Sequence, residues 1–92
     1  MTKKDLADRI TEQIRITERL ARQLVQTMLD CMAEALVNGE TLEFRGFGVL
    51  KTKIRKARIG RNPRAGTSVN VPERRVVVFK VGNKLKERIR AL

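Results

Sequence analysis

The sequence predicts an α+β fold: two N-terminal helices, a three-stranded antiparallel sheet drawn out into a long β-ribbon arm, and a short C-terminal helix. Three observations carry this. Apolar residues recur at helical spacing through two segments that each open at a threonine, Thr2 and Thr17. Past Asn38-Gly39 the period drops to two, and from Lys51 to Arg75 the chain is strongly cationic with a turn at its middle. The order is α-α-β-β-β-α in one domain spanning 1–92: a helical base over 1–38, a sheet over 40–80 with its arm at about 51–75, and a last helical segment over 82–92.

Thr2 caps the first helix, with Asp5 three residues on and Asp8 near the positive end of the helix dipole. Leu6, Ala7, Ile10 and Ile14 then fall within an arc of about 100°, which is one buried stripe. Thr17 caps the second helix, Glu18 sits in its first turn, and the helix runs to about Val37 before Asn38-Gly39 stops it. Its apolar residues, including Leu20, Leu24, Val25, Met28, Cys31, Met32 and Leu36, fill about 180° where a single packed neighbour needs about 100°. Either the helix lies between the first helix and a sheet, or part of the arc meets the same helix of a second chain. Without the arm only about seventy residues remain to build a core, a marginal size, and a symmetric pair is the commonest way to complete one. Leu24, Met28, Met32, Leu36, Phe47 and Phe79 form the expected dimer interface.

Thr41-Leu42-Glu43-Phe44-Arg45 alternates as a short strand, Gly46-Phe47-Gly48 punctuates it, and Val49-Leu50 begins the first arm strand. The chain returns through Val76-Val77-Val78-Phe79, an apolar run that suits a central, doubly covered strand. Pro72 falls in the second arm strand, tolerable because both strands of a ribbon are edges. Gly82-Asn83 leads into a helix from Lys84 to Leu92 with Leu85 and Ile89 as its buried pair.

Composition excludes several functions. There is no histidine, and the single cysteine, Cys31, lies in a helical pattern where it is expected as a small buried hydrophobe; no zinc or iron ligand set can be assembled and no cofactor is expected. A catalytic reading finds no histidine, no poised cysteine and no glycine-rich phosphate loop, so the protein is not expected to be an enzyme. The basic start runs straight into Asp5 and Asp8 with no apolar segment behind it, and no apolar run approaches the roughly twenty residues of a membrane span, so a cytoplasmic protein is expected.

Charge points to a polyanion. Of 21 cationic residues, Lys51, Lys53, Arg55, Lys56, Arg58, Arg61, Arg64, Arg74 and Arg75 lie in the arm, opposed only by Glu73. Keeping a strand edge from aggregating takes one or two lysines, whereas an arginine-rich set matches phosphates and narrow minor grooves. Arg61-Asn62-Pro63-Arg64-Ala65-Gly66 reads as a turn, with Pro63 setting φ and Gly66 closing the loop. Pro63 also presents a rigid apolar ring at the ribbon's apex, where it could wedge between base pairs. Phe44, Phe47 and Phe79 lie in core-building segments and not on a stacking platform. Lys3, Lys80, Lys84 and Lys86 form a smaller basic set at the chain ends.

Gly46-Phe47-Gly48, then Gly60-Arg61-Asn62-Pro63 and Gly66, then Val76 to Phe79 and Gly82 followed by Leu85-Lys86 together resemble the bacterial HU and integration host factor family of histone-like DNA-bending proteins. The likeness runs through essentially the whole chain. It implies an intertwined homodimer or heterodimer with a related chain, whose strands form a saddle on double-stranded DNA and whose arms reach into the minor groove. Under it Pro63 intercalates, Arg61 and Asn62 flank it, Arg55 and Arg58 line the arm, and Lys3, Lys84 and Lys86 meet flanking phosphates. The nucleic-acid-binding set is then Lys3, Arg45, Lys53, Arg55, Lys56, Arg58, Arg61, Asn62, Pro63, Arg64, Arg74, Arg75, Lys80, Lys84 and Lys86. Many relatives have threonine where this chain has Ala65, and Asn83, Glu43-Phe44-Arg45 and Arg74-Arg75-Val76-Val77 are closer to the integration host factor branch. The expected function is architectural bending of nucleoid DNA with little base readout. A site-preferring subunit is the alternative within DNA binding, and an RNA-binding ribosomal or assembly protein the alternative outside it.

Overall fold

The computed structural model describes the backbone of residues 1–62 and 67–92 and the side chains of residues 1–60 and 71–92. The chain divides into two compact units, Met1–Asn38 and Gly39–Leu92. The first holds α1 (Lys3–Gln13) and α2 (Glu18–Val37), both starting where threonine caps require. Thr2 and Asp5 form a reciprocal capping box: the Thr2 N–H donates to the Asp5 carboxylate at 2.9 Å, and the Asp5 N–H to Thr2 Oγ1 at 3.3 Å. That carboxylate is held below the usual aspartate range, chiefly by the Thr2 backbone N–H and next by the Thr2 side chain. Thr17 Oγ1 accepts from the Leu20 N–H at 3.1 Å and opens α2 as a single cap, since Leu20 has no side-chain acceptor to return the bond.

The core between these helices is small. Ala7, Ala21 and Val25 are its buried residues, with Ile10, Ile16 and Leu29 packed around them. Leu6 and Ile14, expected in the buried stripe of α1, are exposed, and Ile14 is an extended residue that ends the helix. Cys31 is likewise exposed, against expectation, because it points away from the α1 side of α2. Leu6, Ile10, Ile14, Val25, Met28 and Leu29 line an apolar groove of about 360 Å³. A single copy of the helical segment therefore leaves much of its apolar surface open.

The second unit is built on β1 (Leu42–Phe44), β2 (Gly48–Arg55), β3 (Arg58–Asn62), β4 (Thr67–Val71), β5 (Arg74–Val81) and α3 (Asn83–Arg90). The three-stranded antiparallel sheet is the one expected, and one interruption in each strand of the arm brings the number of strands to five. β1, β2 and β5 form an antiparallel sheet in that order, and β3 pairs with β4 in a ribbon. β2 is the central strand, and β5, whose Val76 to Phe79 run suggested a doubly covered position, lies at the edge of this sheet. The arm is divided where Lys56-Ala57 faces Pro72-Glu73: Arg55 pairs with Arg74 and Arg58 with Val71, so the register is unchanged across a two-residue gap on each strand. Proline supplies no N–H to a ladder, which accounts for the break at Pro72 and corrects its expected place within a strand.

The Gly-Phe-Gly segment fastens this unit together. Gly46 adopts a positive φ of 85°, and its C=O accepts from the Leu85 N–H at 3.2 Å, while the Phe47 C=O accepts from the Gly82 N–H at 2.8 Å. The turn between β1 and β2 thereby holds the start of α3. A Cβ on Gly48 would lie 2.5 Å from Phe79 Cε1 and 2.6 Å from the Lys80 C=O, so only glycine lets that ring cross the strand. α3 starts at Asn83, one residue before the expected Lys84, and ends at Arg90, two short of Leu92; Ile89 is exposed and Leu85 only half-buried. No helix among the described residues is long and apolar enough to cross a membrane.

Candidate nucleic-acid interface

Strand register sorts the sheet into two chemically different faces. Side chains alternate across a strand, and directly paired residues share a face. The pairs Lys51 with Val78, Lys53 with Val76, Arg55 with Arg74 and Val49 with Lys80 put Lys51, Lys53, Arg55, Arg74 and Lys80 on one side, together with one acid, Glu43, opposite Val49 on β1. The half-buried valines 49, 76 and 78 lie among them, beneath side chains that cover apolar surface with their stems and keep their charges in water. The opposite face carries Leu42, Phe44, Leu50, Ile54, Val77, Phe79 and Val81. Among the described residues no acid comes within ion-pair distance of any cation on the first face, since the one ion pair joins Arg22 to Glu18.

Arg55 and Arg74 are paired directly at the arm end of the sheet, an arrangement of like charges that disfavours the free strand pair by a few tenths of a kcal/mol up to about 1. A face that accepts this repulsion suits an anionic partner better than water. The cations continue outward through Lys56, in the interruption, to Arg58, which opens β3. In the ribbon beyond, Arg61 pairs with Ser68 and Asn62 with Thr67, while the placement of Pro63 and Arg64, and the side chains of Arg61 and Asn62, lie outside the described residues.

The other expected contacts are distributed unevenly. Arg75 pairs with Ile54 on the apolar face, where its guanidinium donates to Thr52 Oγ1 at 3.1 Å, so it is not brought together with Arg74. Arg45 lies in the turn between β1 and β2. On α3, Lys84 and Lys86 are two residues apart and leave the helix on different sides, each sharing its side with a cation one turn on, Arg88 or Arg90. Lys3, in the helical unit, donates to Gln26 Oε1 at 2.7 Å. Sequence reasoning counted Lys51 among the arm's cations but left it out of the contact set, where the odd-numbered parity that it shares with Lys53 would have kept it; Arg88 and Arg90 were not singled out.

The aromatics occupy the other face. Phe47 lies 5.5 Å from Phe79 and 6.4 Å from Phe44 between ring centroids, in tilted and edge-on contacts. All three rings remain partly exposed, Phe47 by 53 %, so in one chain they do not form the closed core expected of them. Because this cluster lies opposite the cations, it offers no platform for bases whose phosphates sit on the charged side.

Comparison with known proteins agrees with this arrangement. Residues 1–90 match the family described as bacterial DNA-binding protein. The chain is 44% identical to the integration host factor beta subunit of Herminiimonas arsenicoxydans, over all of this chain and 92% of that one. It is 42% identical to the alpha subunit of Hydrogenovibrio crunogenus, over 97% of this chain and 92% of the relative. Among solved structures it superposes on HU from an Anabaena HU–DNA cocrystal with a TM-score of 0.87 and 31% identity, covering 97% of each chain.

Proposed function

The chain belongs to the bacterial DNA-binding protein family, and we propose that it serves there as a dimeric, non-enzymatic architectural subunit that bends double-stranded DNA in the cytoplasmic nucleoid. The observation that carries this reading is the division of one sheet into a cationic face and an open apolar face. A second chain, a copy or a relative, covers the apolar side, and DNA phosphates neutralise the other. Lys53, Arg55, Arg58 and Arg74 then work through counterion release, which attracts DNA without reading its sequence.

The ribbons extend into the minor groove. There Arg61 and Asn62 flank Pro63, whose ring enters a base step; Arg64 adds positive charge, and Lys3, Lys84 and Lys86 take phosphates outside the bend. Proteins that work in this way offset an unstacking cost of a few kcal/mol per step with the extra surface that bent DNA wraps. RNA is the weaker partner on this geometry, because an aromatic platform beside the charges is what single-stranded RNA requires.

Energy transfer across an end-labelled duplex, read beside fluorescence anisotropy, separates bending from occupancy. Pro63→Ala should reduce the bend at saturation more than it reduces affinity. A bend unchanged at full occupancy would make Pro63 a turn former only and remove the wedge from the mechanism.

A further inference from the structure

β5 forms one margin of the three-stranded sheet, and among the described residues it pairs only with β2. In an antiparallel ladder a residue directs its N–H and C=O to one side, and alternate residues direct theirs to opposite sides. Every second residue of Arg74–Val81 therefore offers both groups to the open edge, and among the described residues no backbone hydrogen bond outside the β2 ladder takes them up. β2 has an open edge only past Leu50, where β1 ends, whereas β5 is open along its whole length.

Folded proteins blunt such edges with short length, proline, a bulge or charge. β5 is eight residues long and matches β2 one for one without a bulge, and Pro72 lies before its start. Its cations, Arg74, Arg75 and Lys80, stand toward the ends, and the run between them, Val76 to Phe79, is wholly apolar. All four residues of that run line one cavity of about 610 Å³, which reaches back to Lys56, Arg58 and Pro72 at the break in the arm. Successive side chains of a strand point to opposite faces, so a space touched by all four lies beside the strand and not on one face of the sheet. Val77 and Phe79 are 58% and 45% exposed.

The edge also dictates what fills it. An extended segment laid along β5 would place its side chains alternately on the two faces, each beside the β5 residue opposite it. On one face those neighbours are Arg74, Val76, Val78 and Lys80, with Lys56 and Arg58 at the end of the cavity, and on the other they include Val77, Phe79 and Val81. Acidic side chains suit the first series and apolar ones the second. A second copy of this strand is the wrong occupant, because β5 holds no acid and two such edges would bring cations together.

We propose that the open edge of β5 receives an extended segment of another protein, acidic and apolar by turns, which joins the sheet as its next strand. The probe is a peptide of β5's own length that alternates glutamate and valine, added to the full chain without DNA, so that failure here leaves the DNA reading untouched. Amide exchange followed by NMR should show new protection at every second residue of Arg74–Val81, and anisotropy of the labelled peptide gives its affinity. Two further peptides, N-methylated at all glutamates or at all valines, decide whether backbone bonds form, since one set of N–H groups faces β5 and the other faces away. Losing the inward set should weaken binding by about tenfold or more, and losing the outward set should change it by less than about twofold. Methylated peptides that behave alike, whether both bind or both fail, would mean that no ladder forms and overturn the proposal. So would protection on Lys51–Arg55 in place of β5, or no protection at all.

Discussion

Arg74→Thr should strengthen the free strand pair and weaken DNA binding in the same molecule. Arg74 stands directly opposite Arg55 in the last pair before the arm's interruption, and both are exposed without an acidic partner among the described residues. Threonine keeps the strand propensity and removes the charge. Relief of the like-charge pair is worth up to about 1 kcal/mol, which slows local opening by up to about fivefold. Amide hydrogen exchange at Lys53 and Arg55 in the free protein reads that change. For DNA, neutralising one phosphate fewer per chain makes the slope of log affinity against log salt shallower by about 0.9, or about 1.8 for a dimer. Between 50 and 200 mM salt the wild type should then lose roughly twelvefold more affinity than the variant. Stability and affinity falling together would assign Arg74 to the fold, and an unchanged salt slope would place it away from phosphates; either result refutes the argument.

Two further outcomes follow from the geometry. Gly48→Ala places a methyl 2.5 Å from the Phe79 ring and 2.6 Å from a backbone oxygen, and overpacking of this kind costs about 1–3 kcal/mol or more. The thermal midpoint should drop by about 4–8 °C per kcal/mol, and calorimetry finding no drop would mean that the ring moves aside freely. At the start of α1 the Asp5 carboxylate is held below its ordinary value of 3.8, first by the Thr2 backbone N–H. Its stabilising contribution is therefore complete above that range and is lost as pH falls through the lowered value. Exchange at the first turn of α1 should rise in acid for the wild type and stay flatter for Asp5→Asn; parallel profiles would exclude the capping box as the cause.

Local chemistry made the helices legible, and topology made part of the sheet illegible. Thr2 and Thr17 mark helix starts through hydrogen bonds to residues three positions on, a relation written in adjacent sequence. The edge position of β5 depends on which strands lie beside it, and Val76 to Phe79 carries no sign of that. A run of apolar residues fits a strand covered on both faces by one chain, and it also fits a strand whose second cover comes from another chain. Cys31 and Ile89 were misjudged for the same reason: they are apolar, and one copy does not bury them.

At the interface, charge alone identified the arm, but only register told the cations apart. Arg74 and Arg75 look equivalent in sequence, yet alternation sends Arg74 to the cationic face and Arg75 to Thr52 on the apolar one. Lys84 and Lys86 look like one pair, yet helical geometry separates them. In both cases the spacing of the cations, combined with the type of element, decides which of them can meet the same partner. Under the proposed function the parity rule that put Lys51 beside Lys53 has functional content: a duplex laid on this face would meet the odd-numbered cations of β2, leaving the even-numbered positions Leu50, Thr52 and Ile54 on the face proposed to meet a second chain. A one-residue slip of β5 against β2 would break this division, placing arginine and lysine in the apolar contact. Gly48 opposes such a slip, because it alone accommodates Phe79 where the ring now lies.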